Sequence, residues 1–549
     1  MVAQRGIESP PMSGPSLSPR GPRGSDVLPD RFATAAAFVL VAGACLVFLV
    51  GVPEAGPAST GSALGGPGRG VVSVMYDDGF YYLQIARNLA SGRGPSFDGR
   101  HPTSGYHPLW LLALLPLAAA GGHAALLGSF LLQAGLAGAA AALAYRAARA
   151  LGARPLAATL APLALEQHLA TYWMHLSGLE YSLQLALLCV LGLGAARASR
   201  PTPGSSATGA LLCLARLDNA LLVALVAAWS ARRDGFRAAL RTVLPAALAI
   251  GAYLACNLWL FGHALPISAQ VKREWSAELL ARDPVAAAHG LLAAKLANLA
   301  WPLAHMPDAY LLLPALGLAA ALALLLGARL GTAGAETLQP FAAFAWLQLL
   351  AYGWLYHGGF SFQPWYFLVQ PWLGALAVAV LAQRALEVSR LGRLGAAAAS
   401  LGPPAVAGAL LALTAQHVGL KRERQVRFLR QDPLYAAAAW VRDETPPGAV
   451  IGSWNAGLVA VISGRTVVNL DGLVNSWSYL ETGRRDPCRY WREERVGFLV
   501  DAFDPASRAG GPAAGPCAAA LRLVWTGPAY PGSGRRAMAF ETPWSAEPR

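Results

Sequence analysis

Of the chain's 549 residues, 55% are hydrophobic and 13% charged, whereas a soluble domain carries roughly 25% charged residues. That deficit excludes an ordinary water-soluble fold and makes lipid the main solvent. The net charge of +13 sits in short Arg clusters between apolar runs, where membrane topology places them, so it does not read as a nucleic-acid-binding surface.

Residues 1–31, rich in Pro, Gly, Ser and Arg, read as a disordered cytoplasmic tail. Apolar runs follow at 32–52, 122–145, 155–175, 242–261, 308–328, 340–356, 366–384 and 395–416. Each approaches the roughly 20 residues needed to cross a hydrocarbon core of about 30 Å. Without a small-residue cleavage site the first run is an uncleaved span. Arg5, Arg20, Arg23 and Arg31 hold the N-terminus inside, which sends 53–106 outside. Arg146, Arg149 and Arg154 belong inside again, so only one of the runs 107–120 and 122–145 crosses. The shorter, 107–120, is predicted to lie in the outer interface or to dip in and return.

The runs 155–175 and 180–196 then cross out and back, ahead of Arg197 and Arg200. The stretch 207–230 is interrupted by Arg216-Leu217-Asp218 and ends in Arg232, Arg233, Arg237 and Arg241. Charge placement predicts two half-helices meeting at Arg216, with the charges facing protein or a water-filled cavity. The run 242–261 exits into an outer loop, 262–307, and four more spans end near Gln416. In all, about 11 membrane-spanning helices are expected.

From His417 the membrane character is lost. Short β-rich runs at 449–452 and 466–470 flank a predicted helix, 456–463, as in a small extracytoplasmic α/β domain. The expected division is therefore a tail at 1–31, a transmembrane domain at 32–416 whose outer loop 53–121 carries surface helices, and an α/β domain at 417–549. Cys45, Cys189, Cys213 and Cys256 lie in apolar runs and read as buried packing residues, whereas Cys488 and Cys517 can pair if their region is extracytoplasmic. No spacing suggests a metal site, no cofactor is implied, and no internal repeat of the transporter kind is present.

The most informative segment is Tyr76-Asp77-Asp78-Gly79-Phe80-Tyr81-Tyr82-Leu83-Gln84-Ile85-Ala86-Arg87-Asn88-Leu89. Phe80, Leu83, Ala86 and Leu89 recur at helical spacing, with Gln84, Arg87 and Asn88 turned away, as in an amphipathic helix lying on the membrane surface. Asp77 and Asp78 start it. They can cap the helix and interact with its dipole, and one can also be a general base at the water–lipid boundary.

The stretch 77–110 resembles the first outer loop of bacterial GT-C glycosyltransferases, including the family 39-like group of protein O-mannosyltransferases and aminoarabinose transferases. Ser177-Gly178-Leu179-Glu180, Leu214-Ala215-Arg216-Leu217-Asp218, Leu265-Pro266-Ile267-Ser268 with Lys272, and Asn469-Leu470-Asp471-Gly472-Leu473-Val474-Asn475 resemble further segments of that superfamily. Leu217 and Asp218 depart from its usual Pro and Glu. The resemblance implies an all-α polytopic GT-C-like fold with a C-terminal α/β domain. It also implies inverting transfer of a sugar from a polyprenyl-phosphate donor to a glycan, lipid or protein hydroxyl on the outer face of the cell membrane.

The resemblance makes Asp77 or Asp78 the base, with Asp77 preferred by analogy with the first acid of the family pair. Lys272, Arg273 and Arg216 are candidates for the donor phosphate. Arg216 can instead form a structural pair with Asp218, the reading preferred for it, and Lys272 can contact lipid head groups. Glu180 can bind sugar hydroxyls, orient the Asp pair or sit at a helix N-terminus. His107 and His357 stand at outer ends of apolar segments, and Tyr106, Trp365 and Tyr366 can stack on a sugar or belong to the interfacial aromatic belt. The competing readings are a transporter or flippase for a lipid-linked sugar and a non-catalytic membrane scaffold.

Overall fold

The computed structural model describes residues 27–50, 74–197, 202–305, 308–327, 335–388, 432–503, 517–529 and 535–545, with single positions at 408, 412 and 416. The expected tail (except its last residues) and the run 395–416 (apart from those single positions) lie outside the described residues.

Helix α1 (Val27–Val50) packs along α4 (Gly122–Ala150), with α2 (Asp77–Ala90) and α3 (Pro108–Ala119) between them in sequence. Three short helices follow, α5 (Pro155–Ala158), α6 (Leu160–Leu165) and α7 (Leu169–His175), then α8 (Tyr181–Arg197), α9 (Pro203–Ala215), α10 (Ala220–Asp234) and α11 (Phe236–Phe261). The segment after α11 carries α12 (Ile267–Ala281), α13 (Pro284–Leu299) and α14 (Trp301–His305) before α15 (Asp308–Leu325), α16 (Gln339–Leu355) and α17 (Val369–Val388). Among the described residues four helices are long and apolar enough to cross a membrane, Asp30–Val47, Ala124–Ala150, Phe236–Phe261 and Val369–Glu387, with shorter apolar helices beside them. The chain is a multi-pass membrane protein.

Three local features bear on the expected topology. Helix α3 has 12 residues, about 18 Å of rise, too short to cross. The run 155–175 is not one continuous helix. Pro162 lacks the N–H that would reach the Ala158 carbonyl, and its ring crowds that carbonyl, so the hydrogen-bond ladder lapses at Thr159 while its backbone stays helical (φ −68°, ψ −20°). The helix ends at 166–168, a break braced from the side, where buried Glu166 meets His175 Nε2 at 3.1 Å and His175 Nδ1 meets Ser182 Oγ at 2.8 Å. The 207–230 stretch divides as expected. Arg216 is extended (φ −158°, ψ 128°), and a 3-10 turn, Leu217–Asn219, joins α9 to α10.

Helix α2 differs from the amphipathic surface helix expected. Gln84 and Asn88 are buried along with Phe80 and Ile85, and Arg87 is exposed. Asn88 is held by the loop that follows, donating to Ser96 O and Phe97 O, while the C-terminal domain packs on the Asp77–Tyr81 end of the helix. That domain contains α18 (Asp432–Glu444), β1 (Val450–Ser453), α19 (Ala456–Ser463), β2 (Thr466–Asn469), α20 (Pro487–Glu493), β3 (Val496–Phe503), β4 (Arg522–Ala529) and β5 (Arg536–Glu541). The sheet order is β2-β1-β3-β5-β4, with β1 parallel to β2 and β3, and β5 antiparallel to β3 and β4. Cys488 on α20 and Cys517 before β4 form a disulfide; Cys45, Cys189 and Cys213 are buried as expected, whereas Cys256 is exposed on α11. One apolar core runs without interruption from Phe80, Ile85 and Trp110 to Leu458, Val459 and Val500. Burial of that shared surface is what seats the sheet domain on the helices.

Candidate active site

The start of α2 is set by a close backbone approach. Tyr76 N donates to Ser177 O at 3.0 Å. Gly79 and Gly178 meet so tightly that a Cβ on either would overlap the other's Cα, and Gly178 also holds φ +83°. Trp110 Nε1 donates to Gly178 O at 2.7 Å, and Gly178 N donates to Gln133 Oε1 at 2.8 Å. These contacts fix Ser177-Gly178-Leu179-Glu180 against the N-terminal turn of α2.

Between α2, α12, the Arg216 break and the C-terminal domain lies a small polar cavity of about 50 Å³, room for a handful of waters. Asp78, Tyr82, His107, Glu180, Arg216 and Lys272 face it, and Tyr106, Ser268 and Trp365 complete its walls. A larger cavity of about 190 Å³, between α15 and α17, is lined by Leu, Ala and Val alone.

The two neighbouring carboxylates do different things. Asp77 is buried and accepts from Gly457 N at 3.0 Å and Leu458 N at 2.8 Å, the first turn of α19. Burial pushes its carboxyl up to about 7, against the pull of those two donors. Asp78 points into the cavity. Burial raises its carboxyl, and the ammonium of Lys272 acts to lower it.

Two cations line the same cavity as Asp78. Lys272 Nζ donates to Tyr366 Oη at 2.9 Å, and both Lys272 and Arg216 lie over the Tyr366 ring, at 5.4 and 4.6 Å from its centroid. Arg216 makes the expected pair with Asp218 and reaches Glu180 as well. Its Nε pairs with Asp218 Oδ1 at 3.1 Å, while Nη1 reaches Glu180 Oε1 at 2.9 Å. Tyr352 Oη joins the group, accepting from Arg216 Nη2 at 3.1 Å and donating to Asp218 Oδ2 at 2.7 Å. Tyr82 Oη donates to Glu180 Oε2 at 3.4 Å. His107 Nε2 lies 3.6 Å from Glu180 Oε1, and burial lowers its imidazole to about 4, so the ring is neutral near pH 7.

Asp77, Asp78, Glu180, Arg216, Lys272, His107, Tyr106, Trp365 and Tyr366 thus converge on one region. Arg273 is exposed and outside the lining. His357 is also outside it: its Nε2 meets Asp283 Oδ2 at 2.7 Å and braces the 358–366 turns that carry Trp365 and Tyr366. Sequence reasoning did not single out Tyr81, Tyr82, Asp471, Leu473 or Val474. Tyr81 Oη donates to Asp471 Oδ2 at 2.8 Å and accepts from Asn469 Nδ2 at 3.2 Å, while Leu473 and Val474 line the cavity. All five lie inside segments that carry the resemblance, but periodicity marks none of them and only Asp471 carries a charge. Among the described residues no group of three or more His, Cys, Asp or Glu side chains is arranged to hold a metal ion.

A model for a domain of unknown function, DUF8728, matches residues 417–530. No curated protein matches the chain. Among solved structures, ArnT from Cupriavidus metallidurans bound to undecaprenyl phosphate superposes with a TM-score of 0.51 at 15% identity, covering 94% of this chain and 100% of that one. The apo state of the same protein gives 0.50 at 14% identity over the same shares. The chain therefore has an ArnT-like GT-C fold carrying a small C-terminal sheet domain.

Proposed function

We propose that this chain is an integral-membrane glycosyltransferase that moves a sugar, with inversion, from a polyprenyl-phosphate donor to an acceptor hydroxyl on the extracytoplasmic face, with Asp78 as general base. The observation that carries this reading is that Asp78, Lys272 and Arg216 line one cavity together. The fold shared with ArnT, crystallised with undecaprenyl phosphate, supports a prenyl-phosphate partner for that cationic wall.

The chemistry needs three parts. Lys272 and Arg216 hold the donor phosphate and offset the charge that grows on it as the sugar C1–O bond breaks. The acceptor oxygen attacks C1 from the opposite side, and its proton passes to Asp78. The prenyl phosphate leaves as a monoester, and no covalent sugar–enzyme intermediate forms. Glu180, held by Arg216 and Tyr82, offers a carboxylate edge to sugar hydroxyls. The acceptor is a glycan, lipid or protein hydroxyl. Asp78 is preferred to Asp77 because the Asp77 carboxylate is already engaged by two backbone N–H groups.

The test is sugar transfer from a panel of prenyl-phosphate sugars by purified protein in lipid vesicles. Asp78→Asn is expected to insert and fold yet lose transfer by about 100-fold or more, the contribution of a positioned base. Undiminished transfer by Asp78→Asn would remove this residue as the base.

A further inference from the structure

The domain matched at 417–530 has no assigned role, and its contacts suggest one. Its loop 471–474 places Leu473 and Val474 in the cavity wall. Gly105, from the segment before α3, lies so close beneath it that a Cβ there would overlap the Leu473 carbonyl. At the other edge, Gly457 packs on the Asp77 carbonyl, while the Asp77 carboxylate caps the start of α19 through Gly457 N and Leu458 N. Tyr81, one turn along α2, reaches Trp454 O at 3.1 Å and Asp471 at 2.8 Å. Around the rim, Arg484 bridges Glu274 and Glu278 of α12, the helix that carries Lys272, each at 2.6 Å. Arg100 meets Glu494 at 2.9 Å.

We infer that the C-terminal domain is the roof of the active cavity, and that Asp77 is a positioning residue that latches this roof to α2 rather than the base of the reaction. This rests on the reading of the cavity as catalytic. The latch has a geometric consequence: the cap on α19 pins the N-terminal turn of α2 from outside, and the next residue in that turn is Asp78. Loss of the cap frees the roof loop and lets the Asp78 carboxylate wander from its position in the cavity lining. The donor phosphate, held by Arg216 and Lys272 from below, is bound as before. Misplacement therefore falls on kcat and not on the KM for the donor.

The experiment uses the full chain in vesicles, with exposed Cys256 changed to Ser. Hydrogen–deuterium exchange over 456–475 reports the docking, and transfer from a prenyl-phosphate sugar reports the chemistry. Asp77→Ala is expected to speed exchange across 456–475 and lower kcat by about tenfold with donor KM unchanged. Asp77→Asn, which keeps one acceptor oxygen for the α19 amides but cannot act as a base, is expected to stay within about threefold of the parent. A short thiol cross-link between Cys residues at 278 and 484 (Glu278→Cys, Arg484→Cys) is expected to restore Asp77→Ala and leave Asp78→Asn inactive. Two outcomes overturn the assignment: Asp77→Asn as inactive as Asp78→Asn with the roof still protected, or Asp77→Ala with unchanged exchange or unchanged kcat. If the parent protein transfers no sugar from any prenyl-phosphate donor, the proposed function fails, and the exchange measurement still decides the latch.

Discussion

Successive residues on an α-helix project about 100° apart, and this rotation separates Asp77 from Asp78. One carboxylate points into the first turn of α19 and the other into the cavity. Their electrostatics differ accordingly. Asp78 is raised by burial and pulled down by Lys272, so the proposed base ionises above the ordinary aspartate range, and the rate rises with pH through that ionisation. Removing the cation takes away the pull that lowers it. Lys272→Met is therefore expected to shift the rising limb of the kcat–pH profile to higher pH and to lower the rate. The reading is a pH–rate profile at saturating donor, and a limb that stays put or moves to lower pH would contradict the assignment.

At the scale of elements, the site depends on places where helices stop. The break at Arg216 lets a charged side chain reach Glu180 and Asp218 together. Gly178, at φ +83° and back to back with Gly79, ends the 177–180 turn so that Glu180 faces the cavity. A methyl group at position 178 meets both the strained φ and the α2 backbone. Gly178→Ala is expected to lower stability by about 1–3 kcal/mol, read as a lower thermal midpoint in detergent, and to weaken transfer with it. The adjacent Leu179→Met, which keeps its volume, is expected to change the midpoint little.

Over the whole molecule, two bodies of different character share one core, and the sheet domain carries its own cross-link. The Cys488–Cys517 bridge closes a loop with a sequence separation of 29 residues, which restricts the unfolded chain by about 3–4 kcal/mol. Paired Cys488→Ser and Cys517→Ser changes are expected to destabilise that domain by about this much, measured by denaturant unfolding of the purified protein. A membrane-impermeant reductant added outside cells should open the same bridge. Free thiols at Cys488 and Cys517 in untreated cells, reached by a thiol label only after lysis, would place the domain on the cytoplasmic face and reverse the proposed orientation.

Apolar run length and Arg placement were sufficient to read lipid as the solvent, the halting of 107–120 short of a crossing, the division of 207–230 at Arg216, and the β-α-β segment 450–469, because these depend on local pattern alone. The acidic pair was legible for the same reason, since both carboxylates stand next to each other at a helix start. Which of them faces the cavity was not. That depends on Gly457 and Leu458, nearly four hundred residues further along the chain, whose amides only folding brings to Asp77. The roles of Tyr81, Asp471 and Leu473 were hidden likewise. A helix face reads as solvent-facing until another domain covers it, and the tertiary structure alone decides where that cover lies.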